Sequence, residues 1–344
     1  MSLQYSDIDD AVISALQDLG RGKFTDNASK LQRYVAFKTL MRGEYVETTQ
    51  QYGKKWNVLV QDNGSASHVG LYHVDDTTVV DGLKVAQINM KHTVANWQYD
   101  LKEIDMNVRD PASRILSLVK VRRAMARISL AGLMETDFWT LPAASDTDAP
   151  VGVPYYIVPS ASSAGFNGAN PVGYSDVAGL DADVYTVWRN WTGRYTDVTV
   201  DDLISKMEEA MFKTQWETPA DITDYSTGDM VGIYTNWRVY SKLMVIARQQ
   251  NDRLGRDLVW SSGKVVFRET PVTWVPELDS HTNDPVYGIQ WGDFKILVDK
   301  DWFLKEDGPK QAPLQNNVRI VYTDVSWNLK CTDRRKQWVI DTSS

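Results

Sequence analysis

Apolar positions along this chain follow two periods. The opening residues read as helix: "DIDDAVISALQDLG" and "NASKLQRYVAFKTLMRG" carry apolar residues at helical spacing, each with a glycine stop. Neither would hold as an isolated helix, so residues 1–45 are expected to form an arm lying on something else. The period then drops to two. "WNVLVQDNGSASHVGLYHVDD" predicts two strands joined through Asn63-Gly64. Trp56, Val58 and Val60 face one way and Leu59 the other; the return strand sets Val69 and Leu71 against Tyr72 and Val74. Both faces are apolar, and a two-stranded ribbon is marginal in water, so this one must also lie against a further surface. In "LKVAQINMKHTVANWQYDLKEIDMN" the same alternation sets Val85, Gln87, Asn89 and Lys91 against Ala86, Ile88 and Met90. Residues 46–100 therefore read as one long β-excursion.

The clearest element comes next: "RDPASRILSLVKVRRAMARISLAGLMETDFW". Asp110 suits an N-cap and Pro111 the first helical position, where its missing N–H costs nothing. Ile115, Leu118, Val121, Met125 and Ile128 form the expected buried stripe, widened by Leu116, Val119 and Ala126. Roughly 29 residues at about 1.5 Å each give a rod of about 43 Å. A stretch rich in Pro, Gly, Ala and Ser, "LPAASDTDAPVGVPYYIVPSASSAGFNGANPVGYSDVAG", marks entry into a second lobe. There a helix is expected from Thr199, with a capping-box-like Thr199/Asp202 pair and buried Leu203, Met207 and Met211. A strand "MVGIYT" leads to a second helix burying Tyr240, Leu243, Met244 and Ala247. Strands follow in "KVVFRETPVTWVPEL", "PVYGIQWGDFKILVD" and "VRIVYTDVSWNLKCTDRRKQWVI". The fold class is α+β, with no internal repeat.

Composition narrows the chemistry. The 344 residues are 43% hydrophobic and 24% charged, enough to bury a sizeable core. A single cysteine, Cys331, allows no internal disulfide or cysteine-based zinc cluster, and His68, His73, His92 and His281 lack metal-ligand spacing. No leader or apolar run of about 20 residues is present, so a reducing cytoplasm and no membrane are expected. The net charge of −8 argues against a dedicated nucleic-acid binder. "WSSGKV" fails as a phosphate loop, having Leu258 and Val265 where Gly and Ser or Thr are required. "GYSDV" lacks the second glycine of a nucleophile elbow. The pairs Asp9-Asp10, Asp201-Asp202 and Glu208-Glu209 fit helix starts and solvated faces. No enzyme, cofactor or metal site is expected.

Two clusters admit a functional reading. "VWRNWTGRY" could stack a sugar on Trp188 and Trp191, against the plainer reading of an aromatic cluster closing the lobe or an interface. Arg114, Lys120, Arg122, Arg123 and Arg127 on the long helix would either line a surface near nucleic acid or pair with acidic neighbours. Because acids outnumber bases, pairing is the expectation.

The order of arm, long hairpin, spine helix and α+β lobe ending in long strands resembles the major capsid proteins of tailed double-stranded DNA bacteriophages, the Hong Kong 97-type fold. "ANWQYDLKEIDMNVRDP" is similar to that family's passage from the last hairpin strand into the spine helix, with Trp97 the aromatic and Asp110-Pro111 the entry. "FRETPVTWVPELDSHTNDPVYGIQW" resembles its late strand–acidic loop–strand stretch, with Glu269 where glycine is expected. "CTDRRKQWVI" resembles its Asn-Arg-Arg run, with Asp333 before Arg334 and Arg335.

The resemblance implies an N-terminal arm (1–45), an extended β-hairpin loop (46–100), a spine helix in a peripheral domain (101–140), a central axial domain with part of the peripheral one (141–315), and C-terminal strands (316–344). It implies self-assembly as hexamers and pentamers into an icosahedral shell in the host cytoplasm, enclosing double-stranded DNA without sequence-specific binding. The hairpin would reach over the adjacent subunit, with Trp56, Leu59, Val69, Leu71 and Trp97 as contacts, while the arm lines the inside and clasps neighbours. Portal, scaffolding and decoration proteins are the implied partners, with scaffolding expected to be either a separate protein or absent because the arm starts almost at Met1. Two alternatives stand beside it: an encapsulin-like bacterial compartment shell, and an aromatic-rich carbohydrate-binding module.

Overall fold

The computed structural model describes residues 34–40, 46–61, 68–71, 80–102, 111–162, 164–214, 231–249, 258–261, 264–268 and 270–342. Of the arm it therefore includes only a short helix α1 (Val35–Leu40). The Asn63-Gly64 turn, Tyr72, His73, Val74 and Asp110 lie outside the described residues, as does the side chain of Arg114.

Strands β1 (Val46–Thr49), β2 (Gly53–Leu59), β3 (Leu83–Asn89) and β4 (Lys91–Asp100) precede the spine helix α2 (Pro111–Trp139). The helix starts at the proline and runs the 29 residues expected. After it come the short helix α3 (Val153–Tyr156), β5 (Gly165–Gly168), β6 (Asn190–Tyr195) and α4 (Ser205–Thr214). Next are β7 (Val231–Thr235), α5 (Trp237–Gln249), β8 (Leu258–Ser261), β9 (Lys264–Phe267) and β10 (Thr270–Trp274). The chain closes with β11 (Val286–Gln290), β12 (Phe294–Gln311), β13 (Val318–Cys331) and β14 (Trp338–Thr342).

Three sheets result. A peripheral sheet has the order β1-β12-β13-β4, and an axial sheet β5-β6-β14-β11-β7-β10-β9-β8. The hairpin β2-β3 stands apart as a two-stranded ribbon. This corrects the expected boundaries. The free ribbon is Gly53–Leu59 paired with Leu83–Asn89, so β2 does not pair with residues 68–71. The flanking strands β1 and β4 belong to the peripheral sheet, paired with β12 and β13. The expected cut at 315/316 falls in the turn between β12 and β13, which form one hairpin. β14 alone of the last strands crosses to the axial sheet.

The helices of the axial lobe follow their sequence signals. Thr199 Oγ1 accepts from the Asp202 N–H at 3.2 Å, opening a π-helical turn, Val200–Ile204, that runs into α4. Leu203, Met207, Met211, Leu243 and Ala247 are all buried in one cluster, with Tyr240 and Met244 at its edge. Gly288 on β11 is held by its neighbour. It pairs with Trp338, and a Cβ there would sit 1.9 Å from Trp338 Cε2.

The expected stripe on the spine helix is realised in part. Val119 and Ala126, expected to widen it, are buried with Leu130 and Met134 toward the peripheral sheet, whereas Val121 and Met125 are exposed; the side chains of Ile115, Leu116 and Leu118 lie outside the described residues. Apolar residues surround this helix, so periodicity alone leaves its rotation open. The sheet it packs on decides.

Candidate assembly surfaces

The hairpin has two unlike faces because consecutive strand residues point oppositely. On the inner face Trp56 and Val58 pack against the main core cluster, and Ala86 and Ile88 are buried within it. The outer face presents Lys55, Asn57 and Leu59 opposite Gln87, Val85 and Leu83, all exposed. Leu59 (66% exposed) and Leu83 form a cross-strand apolar pair open to solvent, with Val85 beside them. Beyond the paired strands Val69 is exposed and Leu71 is 95% exposed.

The root of this ribbon is fixed. The Glu47 carboxylate on β1 takes Lys54 Nζ of β2 at 2.7 Å and Lys330 Nζ of β13 at 3.0 Å. Lys330 also lies 5.4 Å from the centre of the Trp56 ring. Partial burial pushes the Glu47 carboxyl up, but the two lysines prevail and hold it below its ordinary value. On the other strand, the Gln87 N–H donates to Ala178 O at 2.8 Å, tying β3 to the axial lobe. Ala178 adopts a positive φ of 56°, and its own N–H donates to Tyr155 Oη at 2.9 Å. The inner face is thus committed to the subunit's own body, and the outer face is not.

Trp97 was expected at an inter-subunit contact. It is 5% exposed, on the face of β4 turned away from solvent, with its ring 6.0 Å from that of Tyr99. That position is a correction: the side chain is spent inside its own subunit. Trp56 likewise points inward, leaving Leu59, Val69 and Leu71 as the exposed members of the predicted set.

The basic residues of the spine act mainly as struts. Arg123 Nε and Arg127 Nη2 share Glu306 Oε1 on β12, at 2.5 and 3.2 Å. Arg122 Nη1 donates to Gln98 O on β4 at 2.6 Å, and Lys120 is half-buried. Pairing with acids is therefore realised for Arg123 and Arg127.

Glu135, Arg334 and Asp293 are among the buried charges that escaped the sequence reading. Glu135, fully buried on the spine, accepts from the Val35 and Ala36 N–H groups through Oε1 at 3.0 and 3.1 Å, and from Phe37 N–H through Oε2 at 2.8 Å. Trp139 Nε1 donates to the same Oε1 at 3.0 Å. Arg334, also fully buried, donates from Nε to Tyr156 O and from Nη1 to Trp188 O, both at 2.7 Å. Its Nη2 reaches Gly168 O, Ala169 O and Asn190 Oδ1. All these acceptors are neutral, and burial pulls the guanidinium down to about 10, still charged at neutral pH. Asp293, in the turn from β11 to β12, lies 3.8 Å from Lys336 Nζ. Trp188 and Trp191, the alternative sugar platform, are both buried, Trp188 under the loop at Val177 and Trp191 edge-on to Phe166. They offer no open stacking face.

No family model matches the sequence, and no curated protein does either. Solved structures do match. The chain is similar to a subunit in the capsid asymmetric unit of cyanophage A-1(L), with a TM-score of 0.64 at 14% identity over 94% of this chain and 97% of that one. It is similar to the capsid of a native GTA particle, with a TM-score of 0.56 at 12% identity over 97% and 99%. It is similar to the mature capsid of bacteriophage PhiM1, with a TM-score of 0.55 at 10% identity over 94% and 91%. The likeness runs over nearly the whole of each chain, so this chain has the Hong Kong 97-type fold of tailed-phage capsid subunits.

Proposed function

We propose that the chain is the major capsid subunit of a tailed phage, assembling as hexamers and pentamers into an icosahedral shell around double-stranded DNA. The observation that carries this reading is the outer face of the ribbon. Leu59, Leu83 and Val85 are held up on a pinned root, with nothing from the subunit's own described residues over them. Apolar pairs of this kind mark a surface that another chain covers. In a closed shell each subunit supplies the same arm to a neighbour and receives one in turn.

Leu59, Val69 and Leu71 are the contacts toward that neighbour. The axial sheet would crowd the ring axis. Arg114, Lys120 and Arg122 belong to the inner-face reading, and a net charge of −8 suits a wall that encloses DNA without gripping it. The role is structural and non-catalytic. Portal, scaffolding and decoration proteins would be its further partners, and the host cytoplasm its site of assembly. Sedimentation of the expressed chain, followed by nuclease treatment, tests the reading: fast-sedimenting particles with protected DNA support it. A discrete monomer that binds glycans would replace it.

A further inference from the structure

A small pocket of about 90 Å³ lies beside the end of β14, lined by His281, Thr282, Asn283, Tyr287 and Asp341 together with two prolines. Two segments build its polar side. The loop between β10 and β11 supplies residues 281–283, and β14 supplies Asp341. The Thr342 N–H donates to Asn283 O at 2.9 Å and fixes one segment to the other. That is room for one ion and its waters.

Asp341 is 6% exposed, yet its Oδ1 makes no hydrogen bond. Arg194 Nε, 3.7 Å away, is too distant for one and is itself buried without a partner. The Arg194 guanidinium is directed elsewhere, its Nη2 donating to Thr342 O at 3.0 Å. A buried carboxylate held so loosely is costly unless a closer charge meets it. Burial accordingly pushes the Asp341 carboxyl up to about 6. The neighbouring Asp284 differs, since Asn236 and Arg238 already engage both of its carboxylate oxygens.

His281 is half-buried, and its imidazole donates to the Trp139 carbonyl at the end of the spine. One ring nitrogen is thereby taken. Burial keeps the ring neutral, which leaves the other nitrogen as an acceptor. Metal-ligating imidazoles are held in this way, with the second N–H fixed by a carbonyl or carboxylate. Among the described residues no three His, Cys, Asp or Glu side chains gather at one point, so amide or hydroxyl oxygens would have to complete a ligand set.

We infer that this pocket binds one divalent cation of the zinc class, with Asp341 and His281 as its principal ligands and Thr282 or Asn283 supplying a further oxygen. Imidazole beside oxygen donors suits such an ion, and its charge answers the carboxylate that Arg194 meets only at 3.7 Å. The ion would staple the loop to β14 and, through His281, to the end of the spine. Sequence spacing gives no sign of the site, because only the fold brings residues 281 and 341 together. The inference does not depend on the shell reading, since one subunit supplies every donor.

The test is Zn²⁺ uptake by the full chain, stripped with EDTA and titrated in competition with a chromophoric chelator. The native chain should take up one tightly held equivalent, and its thermal unfolding should move upward with Zn²⁺. Asp341→Asn and His281→Gln should each weaken uptake about tenfold or more and remove that shift, while His92→Gln changes neither. Circular dichroism without metal checks that each variant folds; His281, being only half-buried, keeps the test decisive if Asp341→Asn does not. Absence of a tight equivalent in the native chain would overturn the inference. Native affinity in either folded variant would overturn it too, because the ion would then sit on other histidines.

Discussion

The Phe37 backbone N–H donates to Glu135 Oε2 at 2.8 Å, joining the end of the N-terminal arm to the spine helix across 98 residues of sequence. Glu135 accepts three amides from the open end of α1 and one indole N–H, so a buried carboxylate replaces the solvent that a helix start would otherwise need. Glu135→Ala strands all four donors and should cost about 3 kcal/mol or more. Glu135→Gln keeps one acceptor but turns an NH2 toward an N–H, so its loss should be smaller. Thermal unfolding ranks the two variants, and limited proteolysis near Tyr34 reports whether α1 has detached. Unchanged melting of the alanine variant would refute this role.

The Glu47 cluster governs the ribbon's root. Glu47→Gln should cost about 1 kcal/mol, as expected for a partly exposed ion pair, and speed tryptic cutting at Lys54, Lys55 and Lys84 several-fold. Because the folded-state pKa of Glu47 lies below 4.5, its contribution is present above that value and is lost as pH falls through the folded pKa. Cutting rates of the native and glutamine forms should therefore converge in acid. Rates that stay apart there would contradict the assignment.

Asp293 has the opposite sign. Burial pushes its carboxyl up from 3.8 to about 6, opposed by Lys336 and Lys295 and reinforced by Asp333, while Thr332 donates to it. The folded protein thus holds this proton more tightly than the unfolded chain does. Between pH 3.8 and about 6 the Asp293 contribution falls as pH rises, and above that window it stays low. Asp293→Asn should flatten that part of the stability profile, read as urea midpoints at successive pH values. A parallel profile for the two proteins would remove Asp293 as its source.

Gly288→Ala should destabilise by about 1–3 kcal/mol, the usual range for overpacking, because the new methyl meets the Trp338 ring. Trp338→Leu in the same chain should recover part of the loss. An alanine variant as stable as the parent would show that the ring moves freely.

Where signals are local, the sequence reads correctly. Pro111 opens the spine, Thr199 caps the π-turn, and the alternation Ala86, Ile88, Met90 gives the buried side of β3. Signals that depend on distant chain read poorly. The Asn63-Gly64 pair suggests a tight hairpin, yet β2 pairs with Leu83–Asn89, and the ladder continues only as far as Val60 N–H to Gly82 O. Val121 and Met125 fit a helical stripe as well as Val119 and Ala126 do, and only the sheet beneath selects between them. Glu135 sits in "LMETDFW" like any surface acid, and Arg334 in a charged run. Their burial becomes visible only once partners 98 and 178 residues away are in place.

The central claim is that the outer face of the ribbon binds a neighbouring subunit. Negative-stain electron microscopy of the native chain beside Leu59→Asp/Leu83→Asp tests it directly, with circular dichroism confirming that both are folded. The account expects shells, tubes or rings of six from the native chain, and only folded monomers from the variant. Identical shells from both, or a native chain that remains monomeric at high concentration, would contradict it.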